Sequence, residues 1–275
     1  MKGLSFNHTC VLVLLLSVQL SFAQLSRTHY IPPISTADDS NAVPQNQFLH
    51  ISTPSQTPVS ITLTEIGGTT SVLSASNATP LEILIGSGVN TPFVADVKTT
   101  GTKYTNKGYS IQAEQPVYAS VRLVAGTSQN QAGSLVSKGL SGLGTTFRVG
   151  TFTNQKTFTS TNLDYLNFVS VMATENNTQV DFSYLSPGII IENNTPTSVV
   201  LNYGESYVIA LNPAAAPANR DGLVGALVSA TKPIVVNCGS SNGSNSTGNG
   251  RDFGIDQIAP FETISIDGQS YSEYI

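Results

Sequence analysis

The chain has 275 residues, 40% hydrophobic and only 11% charged, with 23 Gly, 14 Pro and no Trp; average globular proteins carry about 25% charged residues. Such a composition excludes a coiled coil and an acidic disordered tail. Twelve Lys and Arg against 17 Asp and Glu give a net charge of −5, so no basic field exists to hold nucleic acid or an anionic membrane surface.

Residues 1–23 read as a signal peptide. Lys2 supplies the positive start, Cys10 to Phe22 the apolar core, and Ser21-Phe22-Ala23 the small residues before a cleavage point between Ala23 and Gln24. The alternative, an uncleaved anchor, suits the segment less well because a span needs roughly 20 apolar residues. No later stretch reaches that length, so a secreted or cell-surface chain without a transmembrane segment is expected. Export removes Lys2 and no acidic residue, leaving 11 basic groups against 17 acidic ones. It also removes Cys10, so Cys238 is left alone and no intramolecular disulfide can form. Cys238 follows the strand-like run Pro233-Ile-Val-Val-Asn237 and reads as a small buried hydrophobe.

After an N-terminal extension, 24–46, period-2 alternation with β-branched and aromatic residues recurs in short runs. These begin at Val59, Leu81, Val117, Phe168, Val180, Val199, Tyr207 and Ile234, and turn residues such as Gly67-Gly68, Asn106-Lys-Gly108, Asn176-Asn177 and Pro187-Gly188 separate them. No capped 3.6-period stripe is present; a helical turn is expected only near Pro213 to Ala218.

The chain also repeats itself. Gly108 to Val117 aligns with Gly225 to Ile234 at a constant offset of 117, sharing Gly108/Gly225, an Ala and Pro116/Pro233. Phe48-Leu-His-Ile-Ser-Thr answers Phe168-Val-Ser-Val-Met-Ala-Thr at an offset of 120. A period near 120 is domain-sized. The expected fold is therefore all-β, with two tandem antiparallel β-sandwich-like units at 47–143 and 144–258. Residues 259–275 would begin a further β region whose continuation is missing, since the chain stops in the strand-like Ser270-Tyr-Ser-Glu-Tyr-Ile275. Pro116 and Pro233 are expected at strand starts, where a missing donor is tolerated, and Gly108 and Gly225 at bends that a Cβ would obstruct.

Candidate sites are few. The three His stand at positions 8, 29 and 50, so no imidazole lies beyond residue 50 for metal or general-base work. Gly239 to Arg251 reads as a flexible polar loop, and Asp221, Asp252 and Asp256 form a weak calcium candidate without Asp-x-Asp-x-Asp spacing. Arg220-Asp221 and Arg251-Asp252 read as local ion pairs, and Asp252-Phe-Gly254 lacks every other element of a kinase site. No catalytic or cofactor-binding residue is assigned.

Longer motifs carry a resemblance. Thr28-His-Tyr-Ile-Pro-Pro-Ile34, Ala132 to Arg148, Asp164 to Thr174, Asn219 to Gly225, Lys232 to Gly239 and Gly250 to Gln257 resemble the N-terminal region of large secreted surface proteins of Bacteroidota. That region is similar to the N-terminal domain of IgG-Fc-binding proteins, and many of those surface proteins end in a gliding-motility-associated, type IX secretion sorting domain. The resemblance implies a surface or extracellular role and supplies no catalytic residue. The expected function is a non-catalytic β module with a structural, adhesive or interaction role. The alternative is a module with a defined protein or glycan ligand; a carbohydrate-active enzyme, which needs paired carboxylates, fits less well.

Overall fold

The computed structural model describes residues 24–37, 42–153, 165–244, 251–261, 264–266 and 269–271. The signal segment, its cleavage point at Ala23, and residues 245–250 of the polar stretch lie outside the described residues. The chain is all-β. Its first strands are β1 (Ser26–Ile31), β2 (Pro44–Ser52), β3 (Val59–Glu65), β4 (Thr70–Ala75), β5 (Leu81–Gly86), β6 (Lys103–Tyr104), β7 (Tyr109–Ala125) and β8 (Gln131–Val136). There follow β9 (Gly144–Arg148), β10 (Asn167–Ala173), β11 (Thr178–Ser183), β12 (Ser198–Leu201), β13 (Ser206–Leu211), β14 (Leu227–Gly243) and β15 (Asp252–Ile258), then the small pair β16 (Ile264–Ile266) and β17 (Gln269–Tyr271). The expected helical turn is a three-residue 3-10 turn at Pro217–Asn219.

The repeat is visible in the topology. The first sheet has the order β4-β3-β7-β2-β5, with β1 and β8 also on β7; the second has β12-β11-β14-β10-β13, with β9 and β15 also on β14. Strand for strand, in chain order, these are the same connections. The first sheet curls into a half-barrel and the second into a nearly closed barrel. Ser26–Ile31, inside the segment read as an extension, is a strand of the first sheet.

Each unit is organised by one 17-residue strand, β7 or β14. The β7 strand pairs with β3 up to Ala113 and with β2 from Tyr118. Likewise β14 pairs with β11 up to Ala230 and with β10 from Ile234. Pro116 and Pro233 sit at these handovers, in mid-strand rather than at the strand starts expected. A residue without an N–H is tolerated where the ladder is already changing partner. Both corners also bulge: Thr28↔Gln112 is followed by Ser26↔Val117, and Thr146↔Ser229 by Gly144↔Ile234. Bulges re-aim a strand in this way at barrel corners.

Gly108 and Gly225 each precede the long strand with positive φ, +98° and +80°. A Cβ on Gly108 would stand 2.3 Å from Met172 Cε and 2.6 Å from the Ile31 carbonyl, whereas one on Gly225 would meet nothing within 4 Å. Only the first glycine is therefore required by close approach as well as by backbone conformation.

Alternation then divides the cores. Val169, Val171 and Ala173 of β10, and Tyr207, Ile209 and Leu211 of β13, point into the second unit's own core. Their neighbours Phe168, Val208 and Ala210 lie instead in the first unit's core, with Ile31, Leu49, Ile51 and Ile111. The first half-barrel is thus completed by the outer face of the second unit, and β10 and β13 are buried at every position. The units also exchange backbone, since β6 comes from the first unit's stretch of chain and pairs with β13.

One expectation is corrected. Gly239-Ser-Ser-Asn-Gly243 is the last part of β14, with Ser240, Ser241 and Asn242 fully buried. It pairs with β10 and β15, and a Cβ on Gly239 would lie 2.3 Å from the Gly254 carbonyl. Small polar residues here permit close strand approach instead of loop flexibility.

Candidate functional site

The outward face of the first unit is built by alternation along β2, β7 and β8. Phe48 stands between Leu84 and Arg122, and Arg122 beside Ser134. In the next row His50 stands between Glu82 and Ser120. A cleft of ≈ 780 Å³ opens on this face, lined by Phe48, His50, Arg122, Gln129, Ser134 and Asp252 among others. It is a junction site, because Asp252 to Ile255 of β15 form its far wall.

The Phe48 and His50 rings lie 6.2 Å apart at 43°, and His50 Nδ1 is 3.8 Å from Glu82 Oε2. Arg122 is exposed, and its guanidinium has no hydrogen-bond or ion-pair partner among the described residues. Asn46 and Gln129 at the rim hold positive φ, 34° and 52°, a strain that side chains rarely accept and that concentrates at functional sites. A half-buried aromatic, a free guanidinium and a carboxylate suit recognition of a protein surface.

The acidic candidates do not assemble. Asp252 Oδ1 accepts the Ala132 amide at 2.9 Å, tying β15 to β8. Asp221 accepts from Thr153 Oγ1 at 2.9 Å and from both Nε and an Nη of Arg220. Partial burial works against that carboxylate, but the Arg220 and Thr153 donors outweigh it and hold its pKa below the ordinary value. Asp256 stands opposite Cys238 across β14 and β15. Among the described residues no group of three or more His, Cys, Asp or Glu converges as metal ligands. Cys238 is buried and its Sγ–H donates to the Gly150 carbonyl at 3.1 Å. Burial, with Asp256 nearby, pushes the thiol up to about 12, so it stays protonated and unreactive.

The long motifs meet elsewhere, in a buried polar seam between the units. His29 Nε2 donates to the carbonyls of Val117 (2.9 Å) and Ser26 (3.1 Å), which fixes the hydrogen of the neutral ring on that nitrogen. The Ser137 hydroxyl lies between His29 Nδ1 (3.0 Å) and Gln257 Oε1 (3.2 Å). Gln257 Oε1 also accepts the Lys138 amide at 2.6 Å, and its Nε2 donates to the Tyr30 carbonyl and Asn237 Oδ1. Asn237 Nδ2 completes the chain to the Pro32 carbonyl at 2.8 Å. All four side chains are fully buried. Desolvation lowers the pKa of His29, so this imidazole is a structural donor out of reach of any substrate.

Residues 132–271, just over half of the chain, match the family model described as IgGFc binding protein. The chain belongs to the IgGFc binding protein family. Neither a curated protein nor a solved structure matches it. The family span runs from β8 through the whole second unit and holds Ser137, Asn237 and Gln257 of the seam. It also contains the β8 and β15 walls of the cleft, whereas Phe48, His50 and Arg122 precede it. These three were not singled out as a site in the sequence. Only the pairing of β2, β7 and β8 brings them together, and no local motif marks them. Membership assigns the chain to a family of binding modules, with protein as the partner class. Among the described residues no helix is long and apolar enough to cross a membrane.

Proposed function

We propose that this chain is an exported, non-catalytic protein-binding module that takes its partner at the cleft between β2, β7, β8 and β15. The observation that carries this reading is the unpartnered Arg122 beside the half-buried Phe48, in a concavity large enough for a side-chain cluster of a partner. Aromatic and Arg residues dominate binding energy where such pockets are desolvated on contact. Chemistry beyond binding has little support: His29 is buried and fully bonded, and the Cys238 thiol is held protonated. The signal-like residues 1–23 and the family support a cell-surface or extracellular setting.

The family's name supplies the first probe, the Fc fragment of immunoglobulin G. Immobilised Fc should capture the chain beginning at Gln24, and Phe48→Ala and Arg122→Ala should each weaken capture about tenfold or more, as hot-spot truncations do. Absence of capture, or capture that both substitutions leave unchanged, would refute the Fc reading at this cleft.

A further inference from the structure

The two units treat one equivalent edge differently. Their registers match β5 with β13: Leu49↔Ile83 answers Val169↔Ile209, and Ile51↔Leu81 answers Val171↔Tyr207. Phe48↔Leu84 likewise answers Phe168↔Ala210. In the second unit the outer edge of β13 is capped. Lys103 and Tyr104 pair with Tyr207 and Ser206, Gly101 N–H donates to the Val208 carbonyl at 3.1 Å, and Ile191 bridges Leu211. Tyr207 to Leu211 are accordingly at most 2% exposed.

In the first unit β5 pairs with β2 alone, and among the described residues no other backbone hydrogen bond involves 81–86. Leu81 and Ile83 are only partly buried against the first core, and Leu84 is 63% exposed. An apolar edge with unpaired backbone groups is a template for another strand.

We propose that β5 is a self-association edge, at which a second copy of this chain adds its own β5 antiparallel about a two-fold axis at Ile83. The order Leu81-Glu-Ile-Leu-Ile85 is complementary to itself in that register. Ile83 faces Ile83 of the partner subunit and Glu82 faces Leu84 of the partner subunit, while Ile85, which the β2 ladder skips at a bulge, flanks the paired segment. Inward positions stay opposite inward positions, and each contact recurs reciprocally, as a two-fold interface requires. The single charged residue falls opposite an apolar one rather than opposite itself. With 11% charged residues, little long-range repulsion opposes the approach. The proposal is independent of the Fc reading, since neither Glu82 nor Leu84 lines the cleft.

The register makes a charge test possible at the exposed Leu84. Leu84→Glu sets two Glu–Glu pairs directly opposite one another, whereas Leu84→Lys sets two Lys–Glu pairs. Sedimentation velocity on the chain beginning at Gln24, over roughly 5–500 µM, should show a reversible dimer. Leu84→Glu should weaken it by about tenfold or more, and Leu84→Lys should leave it within about threefold or tighten it. Hydrogen exchange at 81–86 should slow as concentration rises. A wild-type chain that stays monomeric throughout would overturn the proposal, whatever Fc does. Equal weakening by Lys and Glu, or protection appearing elsewhere, would overturn it too, because either result describes apolar contact without strand pairing.

Discussion

Phe168→Ala tests whether the two units share one core. Phe168 is fully buried, and its backbone belongs to β10 of the second sheet while its ring lies in the first core. Truncating a buried Phe removes its transfer free energy and leaves a cavity, about 3–5 kcal/mol together. For a chain of this size each kcal/mol lowers Tm by about 2–4 °C, so a fall of roughly 6–20 °C is expected. Calorimetry gives that fall, and hydrogen exchange read by mass spectrometry locates it; peptides must be used because the chain has no Trp to report locally. Protection should drop in β2, β3 and β7, across the interface from the substitution, as well as in β10 and β13. If the loss were confined to the second sheet, with β2 and β3 unchanged, the half-barrel would be stable by itself and the shared core would be wrong.

Stability should fall on acidification through His29. Its folded pKa lies below the unfolded value of 6.5 because burial disfavours the charged ring. The unfolded chain therefore binds more protons, and the stabilisation, fully present above pH 6.5, is lost as pH falls from there towards the folded value. Tm measured from pH 8 to pH 5 should show this slope, and a His29→Gln variant that kept the same slope would exclude His29 as its source. The two hinge glycines should differ: Gly225→Ala should cost about 1–2 kcal/mol, the left-handed backbone alone, and Gly108→Ala clearly more because its Cβ meets Met172 and the Ile31 carbonyl. Equal costs in urea titrations would contradict the packing assigned to Gly108. The Cys238 thiol should resist iodoacetamide in the native chain at pH 8 and react once denaturant is added; stoichiometric native labelling would contradict its burial.

Alternation disclosed the strands that are buried on one face or rich in β-branched residues, such as β3, β5 and β13. It under-read β7 and β14, because a proline in mid-strand looks like a boundary unless the change of pairing partner is known. It missed the end of β14 altogether. Gly239, Ser240, Ser241 and Asn242 have loop composition, and only the closeness of Gly254 across the ladder shows why larger residues are absent. The repeat was legible from Gly108/Gly225 and Pro116/Pro233, whereas the cleft was not. Its residues come from β2, β7, β8 and β15, and their meeting depends on register and on how one unit sits against the other.

The placement of the long motifs follows from the same asymmetry. Two copies of one β unit would ordinarily bury equivalent faces, but here the Phe168 face of the second copy fills the first, while the matching Phe48 face of the first copy stays open. Joining them requires polar backbone of β1 and β7 to pass under cover, and buried carbonyls must be satisfied. His29, Asn237 and Gln257 supply the donors, with the Ser137 hydroxyl linking His29 to Gln257, so the motifs they belong to hold the joint together. On the proposed reading, binding falls to what the joint leaves exposed, the Phe48 face with its outward Arg122, while the β15 wall is fixed by Asp252 on the Ala132 amide and by the buried Phe253.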